Sequence, residues 1–197
     1  MFVEKIEFPK FTGVRCLMMP YIQGDPSSVP IEYEEYFDII RSVFIKKDDV
    51  GFLTIDESMV KKGGIQRGDR ARTDRALHTE AGRRPNAMYG WGGWGSSEDV
   101  ILDKDVEVLL ANSLNDSCAI WDAVHEDTSF DGDIGHASLQ YPYSEAIMMK
   151  AGDVHRIGIL TPHEGLPVTR DTKRQFIRIV SSGVYGMAPY FTVNPLL

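Results

Sequence analysis

The chain is 197 residues long, 43% hydrophobic and 25% charged, which suits one sizeable core of ordinary soluble composition. A net charge of −8 argues against nucleic acid as the main partner, since binding to its backbone is driven by concentrated Lys and Arg. No apolar run is long enough to span a bilayer, so no membrane partner is expected.

Read from the N-terminus, "MFVEKIEFPKF" lacks the basic-then-apolar pattern of a secretory signal. Cys16 and Cys118 match no zinc spacing. Two thiols without a signal sequence predict a reducing, cytoplasmic setting and buried apolar roles. The stretch "PIEYEEYFDIIRSVF" predicts a helix from about Pro30 to Phe44. Its apolar residues recur at helical spacing, proline sits in the first turn, and Glu32, Glu34 and Glu35 meet the positive end of the helix dipole.

Most of the remainder alternates short apolar runs with Gly, Pro, Asn and Asp. "GVRCLMMPYI", "VGFLTI", "DRALHTE", "VEVLLANSL", "SCAIWDAV", "HASLQY", "AIMMKAG", "VHRIGIL" and "RQFIRIVSS" each read as a strand. Turn signals stand at "LNDS" (114–117), "KAGD" (150–153) and "DGD" (131–133). The spacing predicts a mainly β sandwich or barrel rather than βαβ units. "QRGDRARTDR" carries Arg67, Arg70, Arg72 and Arg75, with Arg83 and Arg84 soon after. These form either a solvated surface or a strip facing an acidic substrate group. "GWGGWG" fits the dinucleotide fingerprint in letters alone, because no strand-to-helix context surrounds it. It reads as a loop carrying Tyr89, Trp91 and Trp94, which either packs on itself or closes over a pocket.

Of the five histidines, His78, His125, His136, His155 and His163, each taken alone is an ordinary structural residue. Spacing changes that for two of them. His78 and Glu80 are one residue apart, so on a strand they share a face. His163 lies eleven residues before Arg174. Two histidines and a carboxylate on converging strands form a facial triad that leaves open positions on Fe(II) and suits oxygen activation. A nearby arginine offers a fixed fork of donors to a keto acid's carboxylate. His155 reads as lying on a strand eight residues before His163, and so on the same face, either as a hydrogen-bonded, partly buried histidine or with a role behind the metal ligands or at the substrate.

"LHTE", "VEVLLANSLNDSCAIWDA", "AIMMKAGDVHRIGILTPHEGLPV" and "RQFIRIV", in that order, resemble segments of the Fe(II)/2-oxoglutarate-dependent oxygenases. The resemblance covers about residues 70 to 182 of a single domain spanning 1 to 197. It implies a double-stranded β-helix (jelly roll, cupin-like) with one or two flanking helices. It further implies that His78, Glu80 and His163 hold iron, and that Arg174 pairs with the distal carboxylate of 2-oxoglutarate. Arg178, four residues along the same strand, would hold the cosubstrate or the substrate. The sequence departs from the usual pattern at Glu80, where aspartate is commoner. The implied reaction is oxidative decarboxylation of 2-oxoglutarate to succinate with hydrogen abstraction from a bound substrate. Dioxygen and a small metabolite, with an acidic group as one option, would be the partners. Arg70, Arg72, Arg178, Tyr89, Trp91 and Trp94 are the candidate substrate contacts.

Alternatives remain at this level. His125-x-Asp127 is a rival first motif, but only 38 residues separate His125 from His163, against 85 for His78. Four short strands with turns fit the longer interval better. A cupin-like metal or ligand-binding barrel without 2-oxoglutarate uses the same architecture, as does a purely structural jelly roll. Oligomeric state is not legible. The apolar C-terminal "GVYGMAPYFTVNPLL" could wrap the barrel or form a dimer contact, and wrapping needs no partner.

Overall fold

Short apolar runs, most of them buried on both faces, build two antiparallel sheets. In the computed structural model, residues 1–65, 77–80, 106–126, 132–181 and 191–197 are described. The strands are β1 (Phe2–Lys5), β2 (Arg15–Ile22), β3 (Val50–Val60), β4 (Leu77–His78), β5 (Glu107–Asn112), β6 (Cys118–Ile120), β7 (Ile147–Met148), β8 (Asp153–Gly158), β9 (His163–Gly165) and β10 (Thr172–Val180). The large sheet has the order β1-β8-β5-β10-β3-β2 and the small sheet β4-β9-β6-β7. From β3 onward the chain passes back and forth between the sheets, with only β6 and β7 consecutive in one of them.

The long central strand β10 is buried along most of its length and pairs with β3 on one side and β5 on the other. Its Ile177 and Ile179 face a cluster with Leu53, Ile55, Leu109 and Ala111, on the side covered by the segment 29–43. Its Val180 faces the other way, with Phe52, Val108, Leu110 and Ile157, between the sheets. This period-two division decides which β10 residues can reach a site between the sheets: Arg174, Phe176 and Arg178, but not Gln175 or Ile177.

The predicted helix over 30–44 is shorter and broken. A 3-10 helix spans Ile31–Tyr36, interrupted within by Tyr33, which is outside helical geometry, and an α-helix, α1, follows over Phe37–Ser42. The buried residues explain the break. Tyr33, Tyr36 and Ile39 recur every three residues, the period of a 3-10 turn rather than an α-helix. Both tyrosine hydroxyls also need partners: Tyr33 donates to the Arg15 carbonyl (3.2 Å) and Tyr36 to Glu57 Oε1 (2.8 Å). Glu57 is the buried anchor of this face. Gln175 Nε2 and the Thr12 and Gly13 amides also donate to it. Burial alone would raise its carboxyl, but these hydrogen bonds hold it below the ordinary value.

"HASLQY" is not a strand. Gly135–Gln140 is a 3-10 helix, started by Asp133 accepting from the Gly135 amide (2.7 Å). A strand would have put Ala137, Leu139 and Tyr141 on one face. Instead Ala137 and Tyr141 are buried and Leu139 is 96% exposed. Strands β1 and β9 lie outside the runs read as strands, since both are short and carry charged or polar residues of their own. The "KAGD" and "LNDS" turns are present. Gly152 there has φ +79°, and a Cβ would lie 2.2 Å from the Ile6 carbonyl oxygen, so only glycine fits.

Both cysteines are buried and unbridged, and burial pushes the Cys16 thiol up to about 12. The described part of the C-terminal segment folds back on its own chain. Thr192 N donates to the Leu17 carbonyl, Asn194 Nδ2 to the Pro20 and Ser28 carbonyls, and Phe191 packs against the inter-sheet cluster. Among the described residues no helix is long and apolar enough to cross a membrane.

Candidate metal centre

Register brings the sequence-distant histidines together. Strands β4 and β9 are paired so that His78 stands opposite His163. Their ring centroids are 4.1 Å apart. β4 ends at His78, so Glu80 lies just beyond the strand rather than on it. The turn there is held by the Thr79 amide donating to the Gly132 carbonyl (2.8 Å). The carboxylate nonetheless swings back to the histidines. One ligand atom each from His78, Glu80 and His163 lies within 4.8 Å of the others, and all three residues are buried.

The tautomer of His163 follows from its surroundings. Nδ1 is 3.0 Å from the Thr161 carbonyl oxygen, which can only accept, so Nδ1 carries a proton. In the neutral ring Nε2 is then a lone pair, with Glu80 Oε1 3.4 Å away. Two acceptors this close repel unless a cation or a proton lies with them. The backbone carbonyl therefore both orients the ring and leaves its outer nitrogen ready to ligate. The donor set, two imidazoles and one carboxylate, fits a divalent transition metal.

Two guanidiniums enter the same interior from β10. Arg178 Nη1 forms a 2.9 Å ion pair with Glu80 Oε1, buried at both ends. Arg174 sits four residues earlier on the same face of β10, buried. Its Nε and Nη2 donate to Asn112 Oδ1 (3.1 and 2.7 Å) and Nη2 also to the Ser117 carbonyl (2.9 Å). Burial pulls the Arg174 guanidinium below its ordinary value, opposed by Cys118 and Asp56. Asp56 in turn is raised by burial, against Arg15 and Arg174. The arrangement is thus a triad able to hold a metal ion beside two oriented cations.

His155 is not beside His163. A chain reversal lies between them, closed by the Thr161 amide donating to the Gly158 carbonyl (3.1 Å), so His155 is on β8 of the large sheet and His163 on β9 of the small one. Even spacing holds a shared face only within one strand. His125 keeps other company: its Nδ1 is 2.8 Å from the Tyr141 hydroxyl and its ring centroid 6.1 Å from that of His136. Its rival partner Asp127 lies outside the described residues, as do Arg67, Arg70, Arg72, Arg75, Arg83, Arg84, Tyr89, Trp91 and Trp94. Sequence reasoning missed Asn112, the residue that aims Arg174. Its signal was present: an asparagine two residues past Leu110, on the inward-facing parity of an otherwise apolar strand.

No protein-family model matches the chain, and neither does any curated protein or solved structure.

Proposed function

We propose that the protein is an Fe(II)- and 2-oxoglutarate-dependent oxygenase acting on a small metabolite. The observation that carries this reading is the buried convergence of His78, Glu80 and His163 from two separate parts of the chain, next to Arg174 and Arg178. The passage of β3 to β10 between two sheets, with the orders β3-β10-β5-β8 in one and β4-β9-β6-β7 in the other, supports a double-stranded β-helix. In that barrel His78 and His163 sit on adjacent small-sheet strands, Glu80 just past the end of β4, and the arginines on a central strand of the large sheet.

Each residue has a task in this reading. His78, Glu80 and His163 would hold the iron and leave neighbouring positions for ligands. Thr161 sets the tautomer of His163 through its carbonyl. Arg174, aimed by Asn112 and the Ser117 carbonyl, would take the distal carboxylate of the keto acid. Arg178 orients the Glu80 carboxylate, whose extra methylene relative to aspartate gives it more freedom to correct. Burial excludes water from all of them and strengthens every charge contact. When bound, iron and 2-oxoglutarate supply dioxygen reduction coupled to keto-acid decarboxylation and oxidation of the substrate.

A second reading is a metal-dependent barrel without 2-oxoglutarate. It draws on the fact that both guanidiniums already have protein partners, Asn112 and Ser117 for Arg174 and Glu80 for Arg178. Anaerobic Fe(II) titration with and without 2-oxoglutarate separates the two. A weak visible charge-transfer band that needs both additions, and that is lost in His78→Ala, is the expected result. Iron binding unaffected by His78→Ala would overturn the site. Iron binding that needs His78 but never responds to 2-oxoglutarate would favour the second reading.

A further inference from the structure

The inner face of the large sheet carries a band of polar side chains where a sandwich normally packs apolar ones. Thr54, Asp56, Asn112, Arg174 and Arg178 have partners or roles described above, or accept from a backbone amide, as Thr54 does from Met18 (3.1 Å). His155 has none. Along β8, Val154 joins the outward cluster and Ile157 the inter-sheet cluster, so His155 points between the sheets. Register aligns it in one row with Leu110, Arg178 and Thr54. Arg178 in that row grips Glu80, so the row lies level with the metal ligands. His155 stands two strands along, about 10 Å by strand spacing.

The imidazole is 3% exposed, and neither ring nitrogen has a hydrogen-bond partner. The described ring contact is Phe2, edge-on at 6.3 Å. Burial, with the Met1 ammonium in support and Asp153 opposing, holds the group below its ordinary pKa and so neutral. A neutral imidazole offers one N–H donor and one acceptor that diverge from opposite edges of the ring, so meeting both takes an acceptor and a donor on two separate ligand groups, as a pair of hydroxyls or amides supplies. A carboxylate, which only accepts, can meet the N–H and leaves the acceptor nitrogen unmet. A buried imidazole with two unmet nitrogens is a standing cost that such a pair of ligand groups would remove.

We propose that His155 is a recognition residue that hydrogen-bonds an uncharged hydroxyl or amide group of a small molecule held between the sheets, beside the His78–Glu80–His163 cluster. The inference deepens the proposed function by naming a chemical feature of the substrate, and it rests on that reading only for the reaction, not for the binding.

The test uses full-length protein with 15N-labelled histidine, loaded with diamagnetic Zn(II) and titrated with small polyols and primary amides against acetate and succinate. The expected result is a saturable shift of both His155 ring nitrogens with a polyol or amide probe and not with the carboxylates. His155→Leu should weaken that probe at least about tenfold, the loss of one buried hydrogen bond, and His155→Gln, which keeps a donor and an acceptor, should recover it. Zinc stoichiometry should be the same in all three proteins. The inference is overturned if no polyol or amide moves the ring resonances, if only carboxylates do, or if His155→Leu binds as the parent does. Should His155→Leu fail to fold, the wild-type ring titration still decides. Absence of zinc uptake by the wild type would instead count against the metal centre alone.

Discussion

Arg178 and Glu80 are joined by a 2.9 Å ion pair that is buried at both ends, and the same carboxylate oxygen lies 3.4 Å from His163 Nε2. One acidic side chain is thus shared between a permanent cation and a candidate metal. Removing one member of such a pair strands the other charge out of water. Glu80→Leu and Arg178→Met should each destabilise the fold by about 3–5 kcal/mol in urea unfolding. The double variant should be less destabilised than the two losses added together, by about 1–3 kcal/mol. Additive losses would mean that the pair is not coupled.

Metal binding to the folded state alone must raise the melting temperature. At a free Fe(II) or Zn(II) concentration 100 times the dissociation constant, linkage contributes about 2.7 kcal/mol. For a chain of this size that is a rise of about 5–10 °C. His78→Ala or His163→Ala should melt at the same temperature with and without metal, read by calorimetry under nitrogen.

Asn112 touches neither the triad nor β4, yet it fixes the orientation of Arg174. Under the proposed function, Asn112→Leu should therefore weaken 2-oxoglutarate binding by about 10- to 100-fold, through the loss of the two hydrogen bonds that orient the guanidinium, while leaving metal affinity unchanged. Arg174→Met should weaken it at least as much. An Asn112→Leu protein with intact 2-oxoglutarate affinity would remove Arg174 from the cosubstrate site. Competition titration of the charge-transfer band measures both.

Acid sensitivity should come in two separable steps. Burial lowers His155 in the folded state, so on acidification the unfolded chain takes up that proton first, near its ordinary value of about 6.5, and stability falls from there downward. Glu57 is also held low, so its contribution stays whole above about 4.3 and is lost as pH falls further, through its folded value. Urea midpoints measured across pH 8 to 3 should show the first loss reduced in His155→Leu and the second reduced in Glu57→Gln. Interchanged effects would contradict both assignments.

How much of this was legible beforehand depends on the range of the interaction involved. The strands β2, β3, β5, β8 and β10 declare themselves, because an apolar run bounded by turn residues is a local property of ten or so residues. The helix over 30–44 did not, because its aromatic residues satisfy both an α and a 3-10 period until Tyr33 and Tyr36 find their oxygen partners on other elements. Residue 155 was misplaced for the opposite reason. Its even spacing from His163 is meaningful only if no turn intervenes, and the reversal at 158–161 is made by a threonine that no common turn signature includes.

The sequence by itself determined the β-rich character, the inward parity of Arg174 and Arg178, and the residue types of the triad, since each depends on neighbours a few positions away. Only the tertiary structure decided that His78 faces His163, that Arg178 grips Glu80, and that Asn112 aims Arg174. These contacts join residues 62 to 98 positions apart, or in paired strands whose register is set by the packing of both sheets. No local pattern encodes a distance across a barrel, because it emerges only when the two apolar faces close on each other and leave a polar band between them.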